Sequence, residues 1–198
     1  MRFMANENFP AAAVEALRDS GHDVVWVSPV QGWLSFSLWY EYDMVERARG
    51  KPRLYLETSI PSAYWDDRDP ARMAKTKEFW QQVPLYEVFV SEMTLSEIQA
   101  HPDEIRRSQL LDLVQPFTVL AVTAEAEALA DEYLGRAVFP RGSRADAVHV
   151  AVGTVHAVGI ILSWNFRHMV RLRTRQLLAA INPLLGYPVP QIVSPLEL

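Results

Sequence analysis

The chain of 198 residues and 22.5 kDa is 49% apolar and 22% charged, proportions of a globular protein with one full domain and some surplus, not of a disordered, fibrous or disulfide-stapled one. Cysteine is absent, which excludes a thiolate nucleophile, a Cys-based zinc site, an iron-sulfur cluster and a redox switch, and leaves Asp, Glu, Asn and His to hold any metal. The net charge of -5 hides an asymmetry, because residues 53–135 carry 7 basic and 15 acidic side chains whereas residues 136–198 carry 7 and 2.

In chain order, Arg2 to Ala5 reads as a strand, Pro10 to Ser20 as a helix, Gly21-His22-Asp23 as a turn and Val24 to Val27 as a second strand. The opening MRFMANENFP lacks a basic stretch followed by an apolar one, so it does not read as a secretory signal. Residues 1–29 thus form a β-α-β unit too small to bury a core alone; it must dock on the remainder, dimerise or stay partly disordered. Residues 30–52, aromatic between Trp33 and Tyr42 and without periodicity, read as a linker that covers an apolar patch. From there a domain over 53–198 is expected. The runs Leu54-Tyr55-Leu56, Val88-Phe89-Val90, Val119 to Val122 and Ile160-Ile161-Leu162 are continuously apolar, the pattern of parallel strands covered on both faces. Helices are predicted between them near 70–82, 93–100, 103–114, 123–135 and 144–157. Thr123 sets Glu125 and Glu127 in a first helical turn, where the dipole favours acids, and Gly159 offers a left-handed residue to end the helix before the last strand. Past Asn165 a helical stretch runs to about Ile181, and Gly186 with several prolines leads into a tail ending in Ile192-Val193. The best membrane candidate, Val148 to Trp164, contains His149 and His156 and falls short of the about 20 apolar residues a span needs, so no membrane association is expected and the location reads as cytoplasmic.

The residues able to do chemistry gather where strands end. Glu57 directly follows one strand and Asn165 follows another, and open α/β sheets bind ligands at that carboxyl edge. Glu97 lies in the helix after the Val88 run, and Asp146 in the first turn of the helix before the last strand. Carboxylates brought together stay ionised only beside a cation, and hard oxygen donors without Cys select Mg²⁺ or Mn²⁺. Such an ion lowers the pKa of a bound water and stabilises the leaving oxygen of a phosphodiester, which is nuclease chemistry. Asn165 can orient a water and Ser163 can hold a carboxylate in place. Each position also has a plainer reading. Ser143 and Asp146 form S-x-x-D, the pattern of a helix cap; Glu97 can be a solvent-facing helix residue; Asn165 can serve a turn. His149 either packs in the core or orients Asp146 one helical turn away. His22 and His101 read as surface turn residues, and His156 sits near a helix end that favours its charged form. The arginines after 136 can form a solvated face or meet a phosphate-bearing partner.

The segments RLYLETSIPSAYWDD (53–67), VSEMTLSEIQ (90–99), RADAVHVAVGTVHAVGIILSWNFRHMV (144–170) and INPLLGYPVPQIVSPLEL (181–198) resemble, in the right order, a PIN-domain protein, and more narrowly the branch related to VapC-type toxins. The resemblance implies a three-layer α/β/α fold with a parallel sheet of about five strands, and an acidic pocket that uses Mg²⁺ or Mn²⁺ to cleave single-stranded RNA. It carries the ligand positions onto Glu57, Glu97 and Asp146, with Thr58, Ser163 and His149 behind them. The fourth acidic position, often Asp, is Asn165 here and Glu57 replaces the commoner Asp, so a single ion is expected. Arg144, Arg167, His168 and Arg171 are expected on the RNA backbone. The resemblance also implies an antitoxin partner and a homodimer, and Trp33 to Tyr42 and the tail from Pro183 to Leu198 read as apolar enough to cover a partner. MRFMANENFPAAAVEALRDSGHDVVWV is similar to the start of a separate small PIN-like family that opens L-A-D-E-N; its Asp is Asn6 here, and Glu7 is not expected to be a ligand. The leading expectation is therefore a toxin ribonuclease, the alternative a catalytically weak scaffold that binds RNA or a partner without cutting. A phosphatase is disfavoured because no glycine-rich phosphate loop or D-x-D pair follows a strand.

Overall fold

The computed structural model describes residues 2–5, 18, 19, 21, 23–26 and 50–198. Most of the predicted helix over 10–20, the aromatic stretch 33–42, Asn6, Glu7 and His22 lie outside the described residues. The chain divides into two compact units, Met1–Gly50 and Lys51–Leu198. In the first, strand β1 (Arg2–Ala5) pairs in parallel with β2 (Asp23–Trp26), Arg2 opposite Asp23 and Ala5 opposite Trp26.

The second unit is built on β3 (Arg53–Leu56), β4 (Glu87–Ser91), β5 (Thr118–Leu120), β6 (Ile160–Leu162) and β7 (Gln191–Val193), all parallel, in the order β5-β4-β3-β6-β7. Seven helices connect them: α1 (Ser59–Ala63), α2 (Pro70–Gln82), α3 (Glu92–Gln99), α4 (Glu104–Val114), α5 (Ala124–Gly135), α6 (Arg144–Val155) and α7 (Leu172–Ile181). The pleat sorts each apolar run onto two faces. Tyr55, Phe89, Ile161 and Ile192 join the buried residues of α5, α6 and α7 in one core. Leu54, Leu56, Val88, Val90 and Leu162 join Ile60, Phe79, Ile98 and Leu110 in the other, giving the expected three layers. Among the described residues no helix is long and apolar enough to cross a membrane.

Three local expectations are corrected. Helix α6 ends at Val155 and the left-handed residue after it is Ala157 (φ 51°), not Gly159. Arg53 Nη1 donates to the carbonyls of His156 (2.9 Å) and Ala157 (3.2 Å), so a cation from the central strand holds this helix end without a glycine. Strand β5 stops at Leu120 instead of Val122, because Glu92 Oε2 accepts the Val122 N–H at 2.8 Å and His156 Nε2 lies 3.0 Å from the Ala121 carbonyl. Helix α1 forms where no helix is predicted, and it carries Pro61 within its first turn.

The order of strands places the functional edge. From β3 the chain moves outward through β4 and β5, then returns to pair β6 on the other flank of β3. The connections diverge there, and at such a switch point the carboxyl ends of two neighbouring strands open a crevice.

Candidate functional site

Glu57 leaves β3 and Ser163 to Asn165 leave β6 on either side of that crevice, tied by the Glu57 N–H to the Leu162 carbonyl (3.1 Å). The Glu57 side chain is buried and fully engaged. Its Oε1 accepts the Ser59 N–H at 3.0 Å, and its Oε2 accepts the hydroxyls of Ser163 (2.8 Å) and Ser59. A carboxylate so sunk in a strand end requires such donors. Ser163 Oγ in turn accepts the Asn165 N–H at 2.9 Å, and Asn165 Nδ2 donates to Asp146 Oδ1 at 2.9 Å. The backbone N–H of His168 donates to Asn165 Oδ1 at 3.0 Å, so both ends of the amide are used.

Asp146 is not a helix cap. Ser143 occupies the N-cap position of α6 without a capping hydrogen bond, and its hydroxyl lies 2.9 Å from His168 Nδ1 instead. The same ring nitrogen lies 2.9 Å from Asp146 Oδ2 and, facing a carboxylate, is the donor. Serine and aspartate therefore share one nitrogen, which is not a relay in which His takes a serine proton at one nitrogen and faces the carboxylate with the other.

Glu97 reaches the edge from α3, whose start is fixed by Ser91 accepting the Thr94 N–H at 3.2 Å. One Glu97 oxygen accepts the Thr58 hydroxyl, beside Glu57, and lies 3.0 Å from His149 Nε2. His149 is buried, its Nδ1 2.5 Å from the Tyr55 hydroxyl, which bonds Ser91 Oγ at 2.7 Å. Burial opposes charge on this ring, yet Tyr55, Glu97 and Glu57 lift its pKa well above the ordinary value. Burial likewise works against a charged Glu97, and the bond and charge of His149 with the Thr58 hydroxyl outweigh it, so that carboxyl is held below its usual range. The two shifts describe one ion pair. His149 thus combines both sequence alternatives, a core position and a carboxylate to orient, but the carboxylate is Glu97 and not Asp146.

The four residues fall into two hydrogen-bonded groups, Glu57 with Ser163, Asn165 and Asp146, and Glu97 with Thr58 and His149, which adjoin where Thr58 follows Glu57 in the chain. The donors are hard oxygens, suited in kind to Mg²⁺ or Mn²⁺. Among the described residues no three Asp, Glu or His side chains converge closely enough to hold a metal ion. Of the cationic residues, Arg144 is paired with Asp131 and Glu127, Arg171 Nε donates to Thr174 Oγ1 at 3.1 Å, and Arg175 bonds Glu197 at 2.8 Å. Arg167 and Arg173 are exposed and make no ion pair among the described residues. Sequence reasoning missed the Tyr55-Ser91 support and the His168-Ser143 bond. It also missed the ionic cluster of Asp66, Arg68 and Arg72, whose only signal is the charge-dense stretch from Asp66 to Arg72.

Scans against family models and a search of curated proteins find no match. Among solved structures the chain is similar to the sarcin-ricin loop cleaving toxin VapC20 of Mycobacterium tuberculosis (22% identity, 58% of this chain and 92% of that one, TM-score 0.48). It is also similar to FitAcB from Neisseria gonorrhoeae (15% identity, 73% and 99%, TM-score 0.48). A third similar structure is VapBC2 from Rickettsia felis bound to a promoter DNA fragment (9% identity, 71% and 97%, TM-score 0.46).

Proposed function

We propose that the chain is a PIN-type endoribonuclease that hydrolyses single-stranded RNA with Mg²⁺ or Mn²⁺, the toxin of a toxin-antitoxin pair acting as a cytoplasmic homodimer. The observation that supports the reading is that Glu57, Asn165 and Asp146 form one hydrogen-bonded group beside the strand-order switch point, with Glu97 bonded to the adjoining Thr58. The motifs around these residues are those that resemble PIN proteins. Glu57, Glu97 and Asp146 would hold the ion, whose chemistry is to activate water and neutralise a phosphodiester oxygen. Each carboxylate already accepts hydroxyl, amide or imidazole donors, so binding the ion exchanges protein donors for metal. Asn165 keeps Asp146 oriented, Thr58 and His149 keep Glu97, and Ser163 keeps Glu57. Arg144, Arg167, His168 and Arg171 are assigned to the RNA backbone, and residues 1–29 to a fragment without a site of its own, joined by the linker 30–52.

Cleavage of a labelled single-stranded RNA with Mn²⁺ or Mg²⁺, beside EDTA and Asp146→Asn, tests this. Cutting is expected only with the metal, and the variant is expected to lose about 100-fold or more of it together with Mn²⁺ binding. One observation favours a second reading, a scaffold that binds without cutting: Asn165 spends its amide on Asp146, and among the described residues no three ligands converge. Intact RNA in every lane, with equal Mn²⁺ binding by wild type and variant, would decide for the scaffold.

A further inference from the structure

A cavity of about 290 Å³ opens among α1, α2 and α4, with Ser59, Trp65, Asp66, Arg68, Arg72 and Arg106 in its lining. Its size is at the small end of ligand sites, room for one nucleotide and not for a larger cofactor. Asp66 is 8% exposed and binds two guanidinium groups at once. Arg68 gives it a fork, Nε to Oδ1 at 2.7 Å and Nη2 to Oδ2 at 3.2 Å, and Arg72 Nη2 bonds the second oxygen. Arg72 Nε also lies 3.9 Å from Asp69 Oδ2, so Asp66 and Asp69 balance the two arginines, but the Arg68 side chain is 87% exposed and spends only Nε and Nη2 on Asp66, not Nη1. Three arginines face two aspartates in the lining, Asp66 and Asp67. Above them the Arg106 guanidinium stands 5.8 Å from the centroid of Trp65, whose ring is set edge-on to Tyr64 at 4.6 Å. An aromatic ring, a guanidinium beside it and an exposed arginine held in one direction are what a base and its phosphate recognise. Ser59 joins the cavity to the acidic rim, because the same residue that lines it donates its N–H and its hydroxyl to Glu57.

We propose that this cavity seats one nucleotide of a single-stranded RNA, its base against Trp65 and Arg106 and its phosphate at Arg68 and Arg72, so that the neighbouring phosphodiester reaches Glu57. The strand's identity rests on the ribonuclease reading, which this site deepens into a contact that selects and places substrate. The Nη1 side of Arg68 meets the phosphate while Asp66, bonded to Nε and Nη2, keeps the guanidinium from swinging away.

Fluorescence anisotropy of a short labelled single-stranded RNA, titrated with the full chain in EDTA, reads the site without cleavage. Trp65→Leu is expected to weaken binding about tenfold. Arg68→Ala is expected to weaken it and to lower the salt slope by about 0.7, one single-strand phosphate contact. Lys75→Ala, which removes a charge from α2 outside the lining, is expected to change affinity by about twofold or less. Unchanged affinity and slope in both Trp65→Leu and Arg68→Ala overturn the proposal. So does competition in which a free mononucleotide fills the cavity while RNA affinity ignores both substitutions. Variants that keep RNA affinity but shed a co-purifying protein overturn it in favour of a protein partner. Because binding is read without metal, a chain that cuts nothing can still pass this test, and a chain whose cutting depends on Asp146 can fail it.

Discussion

Asp66 shows what one buried carboxylate does in this fold. Its hydrogen bond from Arg68, opposed by burial and reinforced by Arg72, holds its pKa at about 2 against an ordinary 3.8. A depressed folded value stabilises the protein wherever the unfolded carboxyl is ionised, and that contribution is lost as the pH falls through the folded value. Asp66 itself is buried but Arg68 stands in water, so screening reduces the gain to about 1 kcal/mol. Wild type is therefore expected to exceed Asp66→Asn in unfolding free energy by about that amount at neutral pH, and by roughly half of it near pH 3, read by urea denaturation. A gap that stays constant with pH would show that Asp66 acts by packing alone. Glu57 and Asn165 were legible because Glu57 directly follows one apolar run and Asn165 follows another within three residues, so topology alone sets them on the carboxyl edge. Asp66 was not, because Asp66, Asp67 and Asp69 look alike in sequence and only the packing of α1 against α2 and α4 decides which is buried.

At the scale of elements, the site is held by helix α3 and its first residue of support. Ser91 caps α3 through the Thr94 N–H and also bonds the Tyr55 hydroxyl, which fixes His149 and through it Glu97. Thr123 caps α5 in the same manner, its Oγ1 accepting the Ala126 N–H at 3.1 Å, with no connection to the rim. Each Ser or Thr to Ala change is expected to cost about 1 kcal/mol and lower the melting temperature by about 2–4 °C. Ser91→Ala is expected to reduce RNA cleavage well beyond Thr123→Ala at matched stability, because it also frees Tyr55. Equal losses in the two variants would reduce Ser91 to an ordinary cap. Strands β3 to β6 were legible as apolar runs and the longer helices from their spacing, whereas the short α1 and β7 were not predicted and the ends of elements were not legible. The end of α6 is set by Arg53, which lies 103 residues from His156 in sequence, and the end of β5 by Glu92, 30 residues from Val122. No local pattern encodes either partner.

For the whole molecule, the tail changes its part. The sequence reads Pro183 to Leu198 as apolar enough to cover a second copy, yet Ile192 is buried and β7 completes the sheet beside β6. Part of the remaining apolar surface flanks that strand in sequence: Leu184, Val189, Leu196 and Leu198 are 80, 42, 64 and 40% exposed, four of the nine large exposed apolar side chains among the described residues. β7 is also an outer strand, its second edge unpaired within the sheet. An open edge flanked by exposed leucines suits a two-fold contact, in which one patch meets its own copy and every apolar residue is used twice. The proposed homodimer would use this tail face. Sedimentation at micromolar protein is expected to show a species of twice 22.5 kDa, and Leu184→Glu or Leu196→Glu, both at exposed positions that leave the fold intact, is expected to return it to the monomer. A wild-type chain that sediments only as a monomer would leave the tail as the closing strand of its own sheet and nothing more, and the exposed leucines would then need a different partner.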